Sequence, residues 1–212
     1  MSAAQPIPSL DPWFPPAPAG APAPPPVRAI GLVGIGPVST GLAYWCATKG
    51  LGVILSDPET GTLTQAIGVI RALFHAAEGR GEISHADAHK AMGGIGVTTS
   101  VEDMEFCDLV AELQPEDTAA KRARFAEFAR VLAPDAVLAS VAAGPELEEL
   151  FAVTGNPGRV IGLGFRAPVD SSPQVHVTIG SQTARPTAER VLHFLAALGK
   201  QPVLQGPARR QP

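Results

Sequence analysis

Apolar residues fall into two kinds of run along this chain, short continuous ones and longer ones at helical spacing, and from residue 29 onward the two alternate. Ala29-Ile30-Gly31-Leu32-Val33 is a short apolar run and predicts a strand. Residues 37–49 predict a helix, opened by Pro37 at the first turn and closed by Gly50. Val53-Ile54-Leu55-Ser56 predicts a second strand. Over 62–79 the apolar positions Leu63, Ile67, Ile70 and Phe74 recur at helical spacing. Ser84 and Asp87 have the spacing of a capping box and predict a short helix. Strands are then predicted over 108–111, 136–139, 160–163, 175–178 and 202–204, with helices over 115–132, 146–153 and 184–198 between them. Strands alternating with helices of this length mean βαβ units and a mostly parallel sheet covered on both faces. The expectation is a single α/β domain of doubly wound, Rossmann-type architecture over residues 28–206, with a short tail over 207–212.

Residues 1–27 stand outside that pattern. Ten of the 22 prolines lie within 1–26. Proline fixes φ, removes a donor and restricts its predecessor, so the segment predicts a disordered or semi-rigid arm of polyproline II character. Trp13 and Phe14 are its candidate docking anchor; the plain alternative is an extension without a partner.

Charge narrows the function classes. Sixteen basic against 20 acidic residues give a net charge of −4, with no basic run, which argues against a nucleic-acid binder. No stretch approaches the roughly 20 consecutive apolar residues of a membrane span, and the N-terminus lacks the basic and apolar regions of a secretory signal. Cys46 and Cys107 sit in apolar surroundings and are expected to be inert buried thiols. The expected setting is cytoplasmic. His85 and His89 are four apart on one predicted helix without an evident third ligand, and His75 and His193 lie on amphipathic helices, so no metal site is expected.

The turn after the first strand reads Gly34-Ile35-Gly36-Pro37-Val38-Ser39 and matches two of the three glycines of the dinucleotide fingerprint. Gly34 suits the tight turn, and Gly36 lets the backbone approach a pyrophosphate at the start of the following helix. Ser39 stands where the third glycine gives close helix–strand packing, so modest loosening is expected there, relieved in part by Gly41. Asp57 ends the second strand, 23 residues after Gly34, where an acid binds the adenosine ribose hydroxyls and repels a 2′-phosphate. The expected cofactor is NAD. The plain alternative for Asp57 is a turn or helix-capping residue.

Over 28–206 the chain resembles the NAD-binding domain of the 3-hydroxyacyl-CoA dehydrogenases of fatty-acid β-oxidation. The likeness runs through Val33-Gly-Ile-Gly36, Val53-Ile-Leu-Ser-Asp57, Gly81-Glu-Ile-Ser84, Asp108-Leu-Val-Ala-Glu112, Pro115-Glu-Asp117, Lys121, Phe125, Leu138-Ala-Ser140, Arg159-Val-Ile-Gly162 and Leu198-Gly-Lys-Gln-Pro202. The resemblance implies that Asp57 holds the adenosine ribose and that Glu116, Lys121 and Ser140 line the cofactor and nicotinamide side. The family's HFFNP segment reads Gly164-Phe165-Arg166-Ala167-Pro168 here, so its nicotinamide-contacting Asn has become Ala167.

The chemistry departs further. The family oxidises the 3-hydroxyl of an acyl-CoA, using a His as base and a Glu twelve residues later to orient it. Those positions are Gly164 and His176 here. Ser140 and His176 remain as residual catalytic candidates, His176 as a displaced base. Where the family places a Ser and a Lys near CoA, this chain offers Leu73 and Arg80. The family's second, helical domain has no counterpart after residue 206. Three readings stand open: an NAD(H)-binding domain with weak or no dehydrogenase activity; an active dehydrogenase on acyl-CoA completed by another subunit; or an interaction module that has lost nucleotide binding. A face left by the missing domain would point to a protein partner or a homo-oligomer.

Overall fold

The computed structural model describes residues 7–18, 20–114, 118–141 and 144–206. Its strands are β1 (Ala29–Val33), β2 (Gly52–Ser56), β3 (Ile95–Thr98), β4 (Leu109–Glu112), β5 (Val137–Ser140), β6 (Val160–Gly164), β7 (Gln174–Thr178) and β8 (Gln201–Gln205). They form one sheet in the order β3-β2-β1-β4-β5-β6-β7-β8. Every neighbouring pair is parallel except β6 with β7. This is the doubly wound Rossmann-type sheet that the alternation predicts. Strand order reverses between β1 and β4, which opens a crevice at their C-terminal ends.

Helices α1 (Pro37–Thr48), α2 (Thr60–Gly79), α3 (His85–Gly93) and α6 (Arg185–Ala197) share one core with Ile30, Leu32, Leu55, Ile161, Leu163 and Val177. Helices α4 (Thr118–Val131) and α5 (Pro145–Phe151) close a second core with Val33, Val110, Leu138 and Val160. Adjacent residues of one strand thus enter different cores, as the period of two requires. Strand β3 has no counterpart in the sequence reading. Its four residues follow Gly93 and Gly94, include Gly96, and leave Val97 exposed, so no buried run marks it. The helix expected over 115–132 is observed from Thr118; residues 115–117 lie outside the described residues. The cap at Ser84 is as expected, its Oγ accepting the Asp87 N–H at 3.1 Å.

Between residue 7 and β1 the described residues form no helix or strand, yet they are tied to the domain. Leu10 and Phe14 are buried in the larger core, with Trp13 packed partly against it. Arg185, at the start of α6, donates to the Pro15 carbonyl at 2.8 Å. The arm's buried anchor is therefore the Leu10–Phe14 pair, brought together by a turn in which Phe14 N–H donates to Leu10 O at 3.0 Å.

Both cysteines are buried. Burial pushes the Cys107 thiol up to about 12 and raises that of Cys46 as well. Since the thiolate is the reactive form, neither thiol should react with a disulfide reagent at pH 8 in the native state, and both should react in denaturant. A colorimetric thiol count under the two conditions checks this; a fast native-state equivalent would contradict the packing.

Candidate cofactor site

The site is built at the C-terminal ends of β1, β2, β4 and β5. Gly34 follows β1 with φ +88°, a conformation that favours glycine. A Cβ at Gly34 would lie 2.1 Å from Cγ of Gln114, so the turn is fixed by a close approach as well as by its dihedral. At Gly36 a Cβ would meet no atom within 4 Å, leaving that backbone open to an approaching group. Ile35 leads into Gly36, and Pro37, Val38 and Ser39 form the first turn of α1. The first-turn N–H groups of a helix and its positive end suit a pyrophosphate.

Ser39 does not loosen this turn. Its buried hydroxyl accepts the Gly36 N–H at 2.8 Å and lies 3.0 Å from the Gly36 carbonyl, to which it donates. The serine thus stitches the loop to the helix. Gly41 does not relieve crowding from Ser39 either; it admits Val169, whose Cγ2 would be 3.2 Å from a Cβ there.

Asp57 is 7% exposed and makes the turn bond of its plain alternative. Its Oδ1 accepts the Glu59 N–H at 3.0 Å, a turn bond before α2. No protein donor to Oδ2 is present among the described residues, and the carboxylate borders a cleft of about 300 Å³ shared with Gly34 and Arg124. A carboxylate with one oxygen fixed and one available can accept a hydrogen bond from a ribose hydroxyl. The residues present therefore fit the adenosine, ribose and pyrophosphate of a dinucleotide.

Behind the loop lies a buried polar cluster that sequence reasoning did not assign. Glu112 ends β4 and has no exposed surface. Its Oε2 accepts Lys121 Nζ at 2.6 Å and lies 3.4 Å from Ser140 Oγ, while Oε1 accepts the Gln114 N–H at 2.7 Å. Lys121 Nζ also donates to Gln114 O at 2.6 Å and is buried. Lys121 and Ser140 are thus brought together, with Lys121 held inward beneath the loop end. Glu116 lies outside the described residues. The signal for Glu112 was a carboxylate closing an apolar strand, with a lysine nine residues on.

Strand register aligns the rest. Glu112 pairs with Ser140, and Ser140 with Gly162. One strand further on, Gly164 pairs directly with His176 across the antiparallel β6–β7 edge, where a Cβ on Gly164 would be 3.3 Å from His176 Cβ. The two positions are true neighbours, and His176 is half-buried. Beside α1 and α2 a larger, mainly apolar cavity of about 530 Å³ is lined by Gly36, Tyr44, Leu73 and Val169. Leu73 is thus in that wall, whereas Arg80 is paired with Glu82 at 2.6 Å. Lys200 pins the loop that carries Val169: its buried ammonium donates to the carbonyls of Val169 and Ser172. Burial pushes its pKa down.

A mostly parallel sheet with a glycine turn, an open helix start and an acid at the end of the second strand defines an NAD-binding Rossmann-type domain. Comparison with known proteins gives its family. Residues 29–207 match the model of the 3-hydroxyacyl-CoA dehydrogenase NAD-binding domain, and the chain belongs to that family. It is 33% identical over 179 residues to a 3-hydroxybutyryl-CoA dehydrogenase of Mycobacterium tuberculosis, covering 84% of this chain and 63% of the relative. It is 30% identical over 175 residues to the 3-hydroxybutyryl-CoA dehydrogenase of Bradyrhizobium diazoefficiens, covering 82% of this chain and 60% of the relative. The crystal structure of M. tuberculosis FadB2 superposes with a TM-score of 0.81 at 32% identity, over 86% of this chain and 65% of that one. The chain therefore spans less than two thirds of these relatives. The cofactor of the family's matched domain is NAD. No helix among the described residues is long and apolar enough to cross a membrane.

Proposed function

We propose that this chain binds NAD(H) as the cofactor domain of a 3-hydroxyacyl-CoA dehydrogenase and on its own turns over little or no substrate. NAD supplies hydride acceptance when bound. Gly36, Val38 and Ser39 would take its pyrophosphate at the start of α1, and Asp57 its adenosine ribose. Ser140 and Lys121, with Glu116, would support the nicotinamide side. The observation that carries this reading is the contrast between two ends of one site. The backbone at Gly36 is open and Asp57 keeps an available carboxylate oxygen, whereas the pair that would move a proton is Gly164 and His176. Glycine has no proton acceptor, and His176 has no carboxylate hydrogen-bonded to it among the described residues.

One observation favours a second reading, an active enzyme on acyl-CoA completed by a further domain or subunit. Beyond α5 no helix among the described residues packs on the side of His176, and Val203 there is 37% exposed. A helical domain supplied by a partner, or a second copy of this chain, would cover that face.

Calorimetry with NAD, NADH and NADPH tests the binding. Asp57→Ala should weaken NAD about 10- to 100-fold, since a hydrogen bond to a charged group contributes roughly 1.5–3 kcal/mol. NADPH should bind poorly to the unsubstituted chain. Unchanged NAD affinity in the variant would overturn the ribose assignment, and no binding at millimolar cofactor would overturn the cofactor reading.

A further inference from the structure

We propose that Arg124 covers the adenine ring of the bound dinucleotide, with Gln114 and Glu112 holding its guanidinium in place. This rests on the NAD-binding reading above. The phosphate loop divides two cavities. Gly36 and Pro37 line the larger apolar one, whereas Gly34 and Asp57 line the smaller one of about 300 Å³. With the pyrophosphate at the start of α1 and the ribose at Asp57, the base passes into the smaller cavity. Its far wall is made by Ser100, Glu102, Arg124 and Glu127.

That cavity is chemically unsuited to a phosphate. Three carboxylates line it, those of Asp57, Glu102 and Glu127, and Arg124 is its one cation among the described residues. An uncharged, flat base meets no such repulsion. A guanidinium is planar and weakly hydrated, and it lies readily against a π face, which an ammonium does less well.

Arg124 is also held in place. Its Nη1 donates to Gln114 Oε1 at 3.1 Å and stands 3.9 Å from Glu112 Oε1, with the side chain 23% exposed. Gln114 is itself wedged over Gly34, and its N–H is fixed by Glu112. A continuous path of contacts thus runs from the buried end of β4 to the guanidinium. Gln114 is the positioning residue and Arg124 the contact.

The test is calorimetry on the full chain with NAD, ADP-ribose and nicotinamide mononucleotide, with melting curves confirming that each variant folds. Arg124→Ala should weaken NAD and ADP-ribose by the same factor, roughly three- to thirtyfold, and leave the mononucleotide unaffected. Arg124→Lys should recover little of that loss, because the charge returns without the plane. Gln114→Ala should produce a smaller loss of the same kind, and this variant carries the test should Arg124→Ala fail to fold. Unchanged NAD affinity in Arg124→Ala overturns the proposal. Full recovery in Arg124→Lys also overturns it, by marking a phosphate contact. Failure of the unsubstituted chain to bind NAD would overturn the underlying cofactor reading, and is recognised before any variant is made.

Discussion

Glu112→Ala is expected to destabilise the domain by about 3–5 kcal/mol, the usual cost of removing one partner of a buried ion pair. Glu112 and Lys121 are 0% and 3% exposed, and the distance between their charged atoms is 2.6 Å. Without the carboxylate, the ammonium keeps, among the described residues, only the Gln114 carbonyl, and the Gln114 N–H loses its acceptor. Removing both charges together should cost far less, because no unpaired charge is left in the core. The double variant Glu112→Leu, Lys121→Met is therefore expected to lie closer to the parent than Glu112→Ala does. Urea denaturation of the three proteins checks the order. A loss below 1 kcal/mol in Glu112→Ala would mean that water reaches Lys121, and the cluster would not be the closed unit described.

The second large effect concerns the reaction. Turnover of 3-hydroxybutyryl-CoA with NAD should fall at least 100-fold below that of a relative carrying the base, since general acid–base catalysis by a placed side chain contributes 10²–10⁴-fold. That range is about 2.7–5.5 kcal/mol of barrier. His176→Ala should change little of any residual rate, because base and orienting acid act as a unit and neither position holds its usual group. Exchanging both residues, Gly164→His with His176→Glu, places a base and a carboxylate on strand neighbours. The Cβ separation of 3.3 Å asks for a shift of only a few tenths of an ångström. A rise in rate in this double variant would locate the deficit at the pair. A parent rate equal to that of the relatives, or one abolished by His176→Ala, would assign His176 the role of base and end the inactive reading.

Much of the fold is readable from the chain, because most strands here are buried on both faces and appear as continuous apolar runs. Val137-Leu138-Ala139 and Val160-Ile161 are examples. Strand β3 escapes because it is an edge strand with Gly96 and an exposed Val97, so little burial is recorded in its sequence. Gly34, Gly36 and Asp57 are readable because local backbone geometry and chain spacing define them. The environment of Lys121 is not, since it depends on how β4, β5 and α4 come together. The hydroxyl of Ser39 reads as a missing glycine until its bond to Gly36 is known. Phe14 stands out as an aromatic anchor in the arm, but the docking of Leu10 beside it is invisible in a proline-rich composition, which records the absence of helix and strand and not what a side chain touches.

The wedge of Gln114 on Gly34 bears on how such loops are read across genomes. Selection to keep a glycine here has sources besides the dinucleotide outside: the amide side chain packed on it and its φ of +88°. A descendant that stopped binding nucleotide would still be penalised for any larger residue at Gly34, by its dihedral and, while Gln114 stayed, by the clash as well. Persistence of the first glycine is then a record of packing, and a lineage's loss of its cofactor would surface sooner at Gly36 and Asp57, whose constraint comes from the open side of the loop.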